Sequence, residues 1–501
     1  MEYLDPKQER AHMIRLIVGY VLVGVAILIG TLILLYQAYG YGLGKDGEVI
    51  QNGLVFLSSQ PNNAEIHLNN KLYRDRTNAK LSLPEGAYET VLKRTGYNDW
   101  ERKVVVAGGT VQHFNYPKLF PAELKTSEVK SYGSAPGLVT ESPDRKWLLI
   151  QQPGSLVSFD LFDISNVDRL AERMTSVSLP VELLTSAGTG SHSLKLAEWS
   201  TDNRHVMLTH NYNTGTGDVN EYILLDRQEP ASSLNLTRTL SLSATKQLQL
   251  YDKKFDQYYV YDTADRTVGR MSVSSAATIT PVLENVLAYK PYGKNTVLYV
   301  TDKDAPTSEA LSMLYDDGST YKIREHGAAG PYLIDLARYS NDWYVVVGAS
   351  GDDKVYIYKN PQSARKNIGA KALVPVQIMR MDAPNKLQFS STTQFVMIQN
   401  GTNFAVYDAE TGKGYRYVSG FVIDAPATTA SWMDGQRLMY VSGGRAAVFD
   451  YDNINGRKLA AAIPDYVPFF DRDYENLYTL APGEGDAIAL TVTSMLTPAD
   501  Q

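Results

Sequence analysis

The residues best suited to chemistry in this chain are its seven histidines, His12, His67, His113, His192, His205, His210 and His326. Only His192, His205 and His210 cluster, and their gaps of 13 and 5 residues match no zinc spacing. The chain has no cysteine, which excludes disulfides, thiolate metal sites, cysteine nucleophiles and an acylated lipoprotein anchor. Gly188-Thr189-Gly190-Ser191-His192 lacks the Gly-x-Ser-x-Gly order of a nucleophile elbow and reads as a loop. The run from Asp450 to Gly456 spaces oxygens like a calcium loop, but Ile454 stands where an oxygen ligand is required, so it reads as a hairpin turn. No Walker or dinucleotide glycine pattern follows a strand. The expectation is therefore no catalytic residue, no metal and no cofactor. Paired carboxylates of a glycosidase come from distant loops and leave no linear trace, so a glycan hydrolase stands as an alternative.

The elements around these residues begin with an anchor. Residues 16–36, opening at Leu16 and closing at Tyr36, hold 21 residues without a charge. As a helix that is about 30 Å, the thickness of a bilayer core. A cleaved signal peptide usually has a shorter apolar region, of about 7–15 residues. Lys7, Arg10 and Arg15 precede the span and the next basic residue is Lys45, which sets the N-terminus in the cytoplasm by the positive-inside rule. Tyr36, Tyr39 and Tyr41 suit the outer interface. The expected order is a cytoplasmic tail at 1–15, a transmembrane helix at 16–36 and a linker at 37–52. A β-sandwich at 53–118 and a β-propeller at 122–501 follow.

Net charge is −7 and gives no footprint for nucleic acid. It is unevenly spread. Residues 53–120 carry nine basic and six acidic groups, and residues 121–501 hold a net −9. The 34 tyrosines and the abundant Gly and Pro fit many strands joined by many turns.

Within 53–118, short β-type runs at 53–58, 65–68, 87–93, 100–106 and 111–116 are separated by turn clusters such as Gln60-Pro61-Asn62-Asn63 and Thr95-Gly96-Tyr97-Asn98. The run Pro84-Glu85-Gly86-Ala87, the Gly96-Tyr97 turn and the opening Ser59-Gln60-Pro61 with Ala64-Glu65-Ile66 resemble the PEGA domain. One segment departs from that pattern: Asp75-Arg76-Thr77-Asn78 replaces the usual Gly-x-Thr/Ser-Pro. The resemblance implies a surface-exposed spacer or binding module without an active site. Lys93, Arg94, Arg102 and Lys103 flank the Gly96-Tyr97 turn and are candidates for contact with anionic lipid or wall polymer.

Beyond residue 122 a theme recurs every 40–60 residues: a polar turn, an apolar strand, a strand ending in Asp, then a turn with Gly or Asn. The clearest hairpin is Phe404-Ala405-Val406-Tyr407-Asp408-Ala409-Glu410-Thr411-Gly412-Lys413, read as the two outer strands of a blade, with Tyr258 to Asp262 as one of its equivalents. Ser142-Pro143-Asp144 and Ser200-Thr201-Asp202 resemble the turn of TolB-type or WD40-like propellers. Eight units are counted, with seven as the alternative, and residues 128–132 are expected to complete the last blade. The fold class is an all-β ectodomain, a PEGA-like sandwich plus a seven- or eight-bladed propeller, behind one transmembrane helix.

This order of parts reads as a membrane-anchored extracytoplasmic binding or scaffold protein of a bacterial cell envelope, with a protein or glycan partner and no nucleic acid. Alternatives are a glycan hydrolase and the outer subunit of a signalling or secretion complex. The insertions at 183–194 and 302–311 are candidate partner contacts. Oligomeric state is left open.

Overall fold

The computed structural model describes residues 6–38, 40–43, 49–186, 191–215, 217–275, 278–305, 308–368, 371–424 and 429–500. Tyr39, Lys45, Asp46, Glu48, residues 187–190 of the first insertion and residues 306–307 of the second lie outside them. The chain forms two compact units, Met1–Glu123 with Leu496–Gln501, and Leu124–Met495.

The first unit opens with the helix Pro6–Ala38, longer at both ends than the apolar span inside it. The stretch Arg10–Tyr36 is long and apolar enough to cross a membrane, and none of it is buried. From residue 16 to 36 the helix carries no charge on any face, as a lipid-facing segment requires. Two four-stranded sheets follow. Tyr41–Leu43, Val49–Leu57 and Ala79–Pro84 pair antiparallel, and Val111–Phe114 runs parallel to Val49–Leu57. The second sheet orders Lys71–Arg76, Glu65–Leu68, Gly86–Lys93 and Trp100–Val106.

Val55, Leu57, Ile66, Leu81, Leu92, Trp100, Val104 and Val106 form the core between the sheets. Alternation puts them there: along Trp100–Val106 the buried positions are 100, 104 and 106. The segment 37–52, expected as a linker, supplies the strand Tyr41–Leu43 and the start of the next one. Gly40 makes this hairpin possible. Its φ is +76°, and a Cβ there would meet the Asn52 carbonyl oxygen at 2.5 Å.

The second unit holds eight separate four-stranded sheets among the described residues. Seven are consecutive in sequence: blade 1 at 139–178, blade 2 at 192–235, blade 3 at 246–283, blade 4 at 286–326, blade 5 at 332–380, blade 6 at 386–418 and blade 7 at 431–461. Blade 8 takes three strands from 469–494 and its fourth from Lys125–Tyr132, which pairs antiparallel with Ile488–Ser494. The expected closing stretch 128–132 is thus found, three residues longer.

No sheet is itself closed; neighbours meet through their faces. Leu149 and Phe159 of blade 1 pack with Val206 and Ile223 of blade 2. Phe395 of blade 6 stacks on Trp432 and Tyr451 of blade 7. Tyr478 and Leu490 of blade 8 pack with Leu148 and Phe162 of blade 1, which brings the series back to its start. The first strands of blades 2 and 3, of blades 4 and 5 and of blades 5 and 6 lie against one another, as innermost strands facing an axis do.

The repeated turns have a shared cause. Ser142 and Ser390 are buried, and each hydroxyl accepts the backbone N–H five residues on, from Trp147 (3.1 Å) and Phe395 (3.2 Å). Asp408 ends the third strand of blade 6, accepts the Glu410 N–H at 3.0 Å and holds the Thr411 hydroxyl at 2.7 Å. One expected equivalence fails. Gln257–Asp262 is the second strand of blade 3, so Asp262 joins the second and third strands rather than the outer pair. The local pattern of aromatic strand, Asp and turn is the same for any hairpin and does not encode its place in the blade.

Candidate functional site

The residues singled out from sequence fall into the anchor, the PEGA-like motifs and the histidine cluster. Leu16 is exposed on the helix. Tyr36, near its end, stacks on Tyr41 with ring centroids 5.2 Å apart and donates to the Gly42 carbonyl at 3.4 Å. The aromatic pair joins the helix to the first strand.

The motif Pro84-Glu85-Gly86-Ala87 is a corner between the two sheets. Pro84 ends a strand of the first sheet and Gly86 begins a strand of the second. The Glu85 N–H donates to the Gln51 carbonyl (3.0 Å) and the Tyr88 hydroxyl to the Pro84 carbonyl (2.9 Å), which fix the corner from both sides. The departed segment is also structural. Buried Thr77 places its hydroxyl 2.6 Å from that of Ser59 and accepts the Ala64 N–H at 2.9 Å, pinning the opening motif.

The Gly96-Tyr97 turn holds the chain's end. Tyr97 is buried, its hydroxyl donates to Asp500 Oδ2 at 2.7 Å, and it accepts the Thr497 N–H at 3.0 Å. Arg94 pairs with the same carboxylate. Burial alone would raise the Asp500 pKa, but the Tyr97 and Thr497 hydroxyls and the Arg94 charge outweigh it and hold it below the usual range. Lys93 pairs with Asp99 at 3.2 Å. The Arg102 guanidinium lies 5.7 Å from the Trp100 ring centre and 5.4 Å from that of Tyr116. Lys103 is exposed, opposite Glu89 in the strand pair. Three of the four basic candidates therefore also serve contacts inside the module.

In the propeller the histidine cluster divides. His205 Nδ1 lies 2.6 Å from Asp202 Oδ2, and its ring stacks on Phe255 at 3.8 Å. His192 and His210 instead form a relay across blade 2: His192 Nδ1 to His210 Nε2 at 3.0 Å, then His210 Nδ1 to Glu221 Oε1 at 2.8 Å. Glu221 also accepts from the Thr185 N–H (2.7 Å), the Thr185 hydroxyl (2.9 Å) and Asn235 Nδ2 (2.9 Å). Burial works against its charge, but these bonds, led by that from His210, hold its pKa at about 2. An ionised Glu221 can only accept, so His210 carries the hydrogen of that bond on Nδ1. Residues 18 and 11 apart in sequence meet because strand pairing places His210 opposite Glu221.

Two further groups were not visible from sequence. Ser312 Oγ and His326 Nε2 are 2.6 Å apart, the geometry of a nucleophile and base. Both are buried, at 0% and 2% exposure, so no substrate reaches them, and burial pushes His326 down to about 4, keeping it neutral. Glu141, on the first strand of blade 1, has Oε2 buried without a hydrogen-bond partner. Burial raises its pKa to about 7, and Arg145, 4.0 Å away, offsets only part of that. Among the described residues no group of three or more His, Asp or Glu is placed to hold a metal ion.

The architecture is that of a small β-sandwich and a β-propeller behind one apolar helix. The sandwich is a PEGA domain: the model of that family matches residues 52–119. No curated protein matches the sequence. Solved structures of similar fold include dipeptidyl peptidase 4 of Porphyromonas gingivalis (11% identity, 70% of this chain and 56% of that one, TM-score 0.42). An oligogalacturonate lyase in complex with manganese is 10% identical over 75% of this chain and 99% of its own, with TM-score 0.39. Hsv2p of Kluyveromyces lactis is 11% identical over 65% and 98%, with TM-score 0.37. These are propeller-type structures, and likeness at this level bears on fold alone.

Proposed function

We propose that the protein is a single-pass, membrane-anchored binding or scaffold protein of the cell envelope, with a cytoplasmic N-terminus and an extracytoplasmic PEGA domain and propeller. The observation that carries this reading is where the chemistry-bearing side chains of the propeller point. The Ser312–His326 pair and the His210–Glu221 end of the histidine relay are spent on internal hydrogen bonds in buried surroundings. What the propeller offers a macromolecule is its loops and blade edges, carried on a rigid scaffold. The basic residues Arg10 and Arg15 ahead of the apolar span support the orientation.

The test is crosslinking on intact, wall-stripped cells carrying the full chain with tags at both ends. External protease removes the C-terminal tag and spares the N-terminal one, and crosslinking captures a protein or glycan partner. Protection of the C-terminal tag refutes the orientation. Turnover of a glycan or peptide by the purified chain refutes the binding role.

A further inference from the structure

The propeller is acidic, yet residues 354–381 contain Lys354, Lys359, Arg365, Lys366, Lys371 and Arg380 and no acidic residue. That is +6 within a region of net −9. The stretch is the outer part of blade 5. It runs through the strand Lys354–Lys359 and the helix Pro361–Ile368 to the outermost strand, Gln377–Arg380.

The approach to that last strand has an unusual surface. From 373 to 379 two residues are buried: Leu373 (7% exposed) in the core shared with blade 4 and Met379 (4%) in the core shared with blade 6. Val374, Val376 and Ile378 point outward and are 84%, 46% and 45% exposed. Together they form an exposed apolar row that leads into the strand, bracketed by exposed Lys371 and Arg380. The strand's ladder partners all lie on Lys354–Lys359, and no strand pairs with its other edge among the described residues. Proteins usually blunt such an edge with charge or cover it. The outer strand of blade 6 carries Lys413 and Arg416, and that of blade 1 has only serine and threonine on its exposed positions.

Beside the row lies a cleft of about 280 Å³, lined by Lys322, Arg324, Glu325, Tyr358, Arg365 and Leu373. Arg365 is fixed by bonds to the Lys322 carbonyl (2.7 Å) and the Lys371 carbonyl (2.6 Å), and Arg324 lies over the Tyr356 ring at 3.1 Å. The one acid in the lining, Glu325, is engaged by Lys322 at 2.5 Å.

We propose that this edge of blade 5 docks an extended, acidic segment of a partner protein. The segment adds a strand beside Gln377–Arg380, lays apolar side chains on Val374, Val376 and Ile378, and sets carboxylates toward Lys371, Arg380 and the cleft. An open edge gives main-chain pairing, and the apolar row and flanking charges give register and selectivity. Two copies of this chain are disfavoured as the pair, because edge-to-edge contact would bring Lys371 and Arg380 of one copy against those of the other, while Lys354 and Lys359 are already paired with Asp353 and Asp342. A lipid surface could use the charges and the valines but not the open main chain. This surface rests on the binding-protein reading and names the kind of partner it serves.

The experiment uses the full chain in phosphatidylcholine nanodiscs and fluorescein-labelled, end-blocked octapeptides read by anisotropy. An octapeptide with Val at alternate central positions, Ser between them and Glu at both ends binds at least tenfold more tightly than the same peptide with Lys at its ends (the Lys-Val peptide) or with two of its serines replaced by proline. Val376→Glu with Ile378→Glu weakens it tenfold or more at unchanged melting temperature. Lys371→Glu with Arg380→Glu gives the same loss and serves if the first variant misfolds. Equal binding of all peptides, no saturable binding, or wild-type binding by both variants overturns the proposal. Displacement of the peptide by phosphatidylglycerol vesicles, with the Lys-Val and proline peptides binding equally, overturns it in favour of lipid. Undiminished partner capture on cells by the same variants removes this surface but leaves the binding role standing.

Discussion

The Tyr97 hydroxyl donates to Asp500 Oδ2 at 2.7 Å, so a residue of the PEGA-domain turn is bonded to a carboxylate 403 positions later in the chain. Asp500 also takes the Thr497 hydroxyl at 2.8 Å and the Arg94 guanidinium. Gly96, with φ +83°, lets Thr497 approach: a Cβ there would sit 3.0 Å from Thr497 Cγ2. The last residues of the chain are thus part of the module next to the apolar helix.

Tyr97→Phe removes one hydrogen bond, leaves the Thr497 N–H without its acceptor and costs the module about 1–2 kcal/mol. Asp500→Ala costs more, because Arg94 loses its counter-charge in a partly buried setting. Gly96→Ala costs about 1 kcal/mol from the backbone alone. Hydrogen exchange of amides in residues 86–106 reads all three, and unchanged protection in Asp500→Ala would remove the clasp. The folded carboxyl titrates below the unfolded one. Its contribution is therefore complete above the ordinary Asp range and is lost as pH falls through the lowered value.

Glu141 behaves in the opposite sense. Its pKa is raised to about 7 in the fold, so the folded state keeps the proton after the unfolded chain has ionised. Stability falls as pH rises from about 5 to 7 and is level beyond. Glu141→Gln removes that slope and gains on the order of 3 kcal/mol at pH 8. Parallel stability–pH curves for the two proteins would show that Glu141 is already ionised in the fold.

The closing strand is held by charge as well as by its ladder. Buried Asp160 of blade 1 accepts from Lys130 Nζ at 2.7 Å, from the Tyr132 hydroxyl at 2.9 Å and from Gln152 at 2.8 Å. Asp160→Ala strands the Lys130 ammonium and costs about 3 kcal/mol. Deleting 125–132 exposes the Ile488–Ser494 edge and lowers the melting temperature of the whole propeller. A melting curve that loses only a minor, separate transition would mean that blade 8 does not hold the rest.

Glu221, with its pKa at about 2, stabilises blade 2 fully above the ordinary Glu range and stops doing so as pH falls toward 2. Glu221→Gln keeps the shape but turns one acceptor into a donor facing donors, at a cost of about 2 kcal/mol. It also frees the His210 tautomer, which imidazole nitrogen shifts in NMR read directly. Unaltered His210 and His192 shifts would break the relay assignment.

What the sequence determined by itself was everything written locally. An uncharged run of 21 residues is a helix of membrane length wherever it lies. The Pro84-Glu85-Gly86-Ala87 run marks its module because a sheet-to-sheet corner needs those backbone angles and little side chain. The eightfold recurrence of polar turns showed a propeller, because each blade repeats the same short-range problem. Tertiary structure decided what depends on pairing. The place of Gln257–Asp262 within its blade was set by the neighbouring strands, since a hairpin looks alike at any position. The division of His205 from His192 and His210 followed from strand register, which sends alternate residues to opposite faces. Burial raised the Glu141 carboxyl far above the ordinary carboxylate range and made Asp160 an ion-pair centre. The clasp of Tyr97 by Asp500 and the open edge at Val374, Val376 and Ile378 exist only once distant segments are brought together. Desolvation and long-range hydrogen bonds are properties of the packed chain, and no local window of residues contains them.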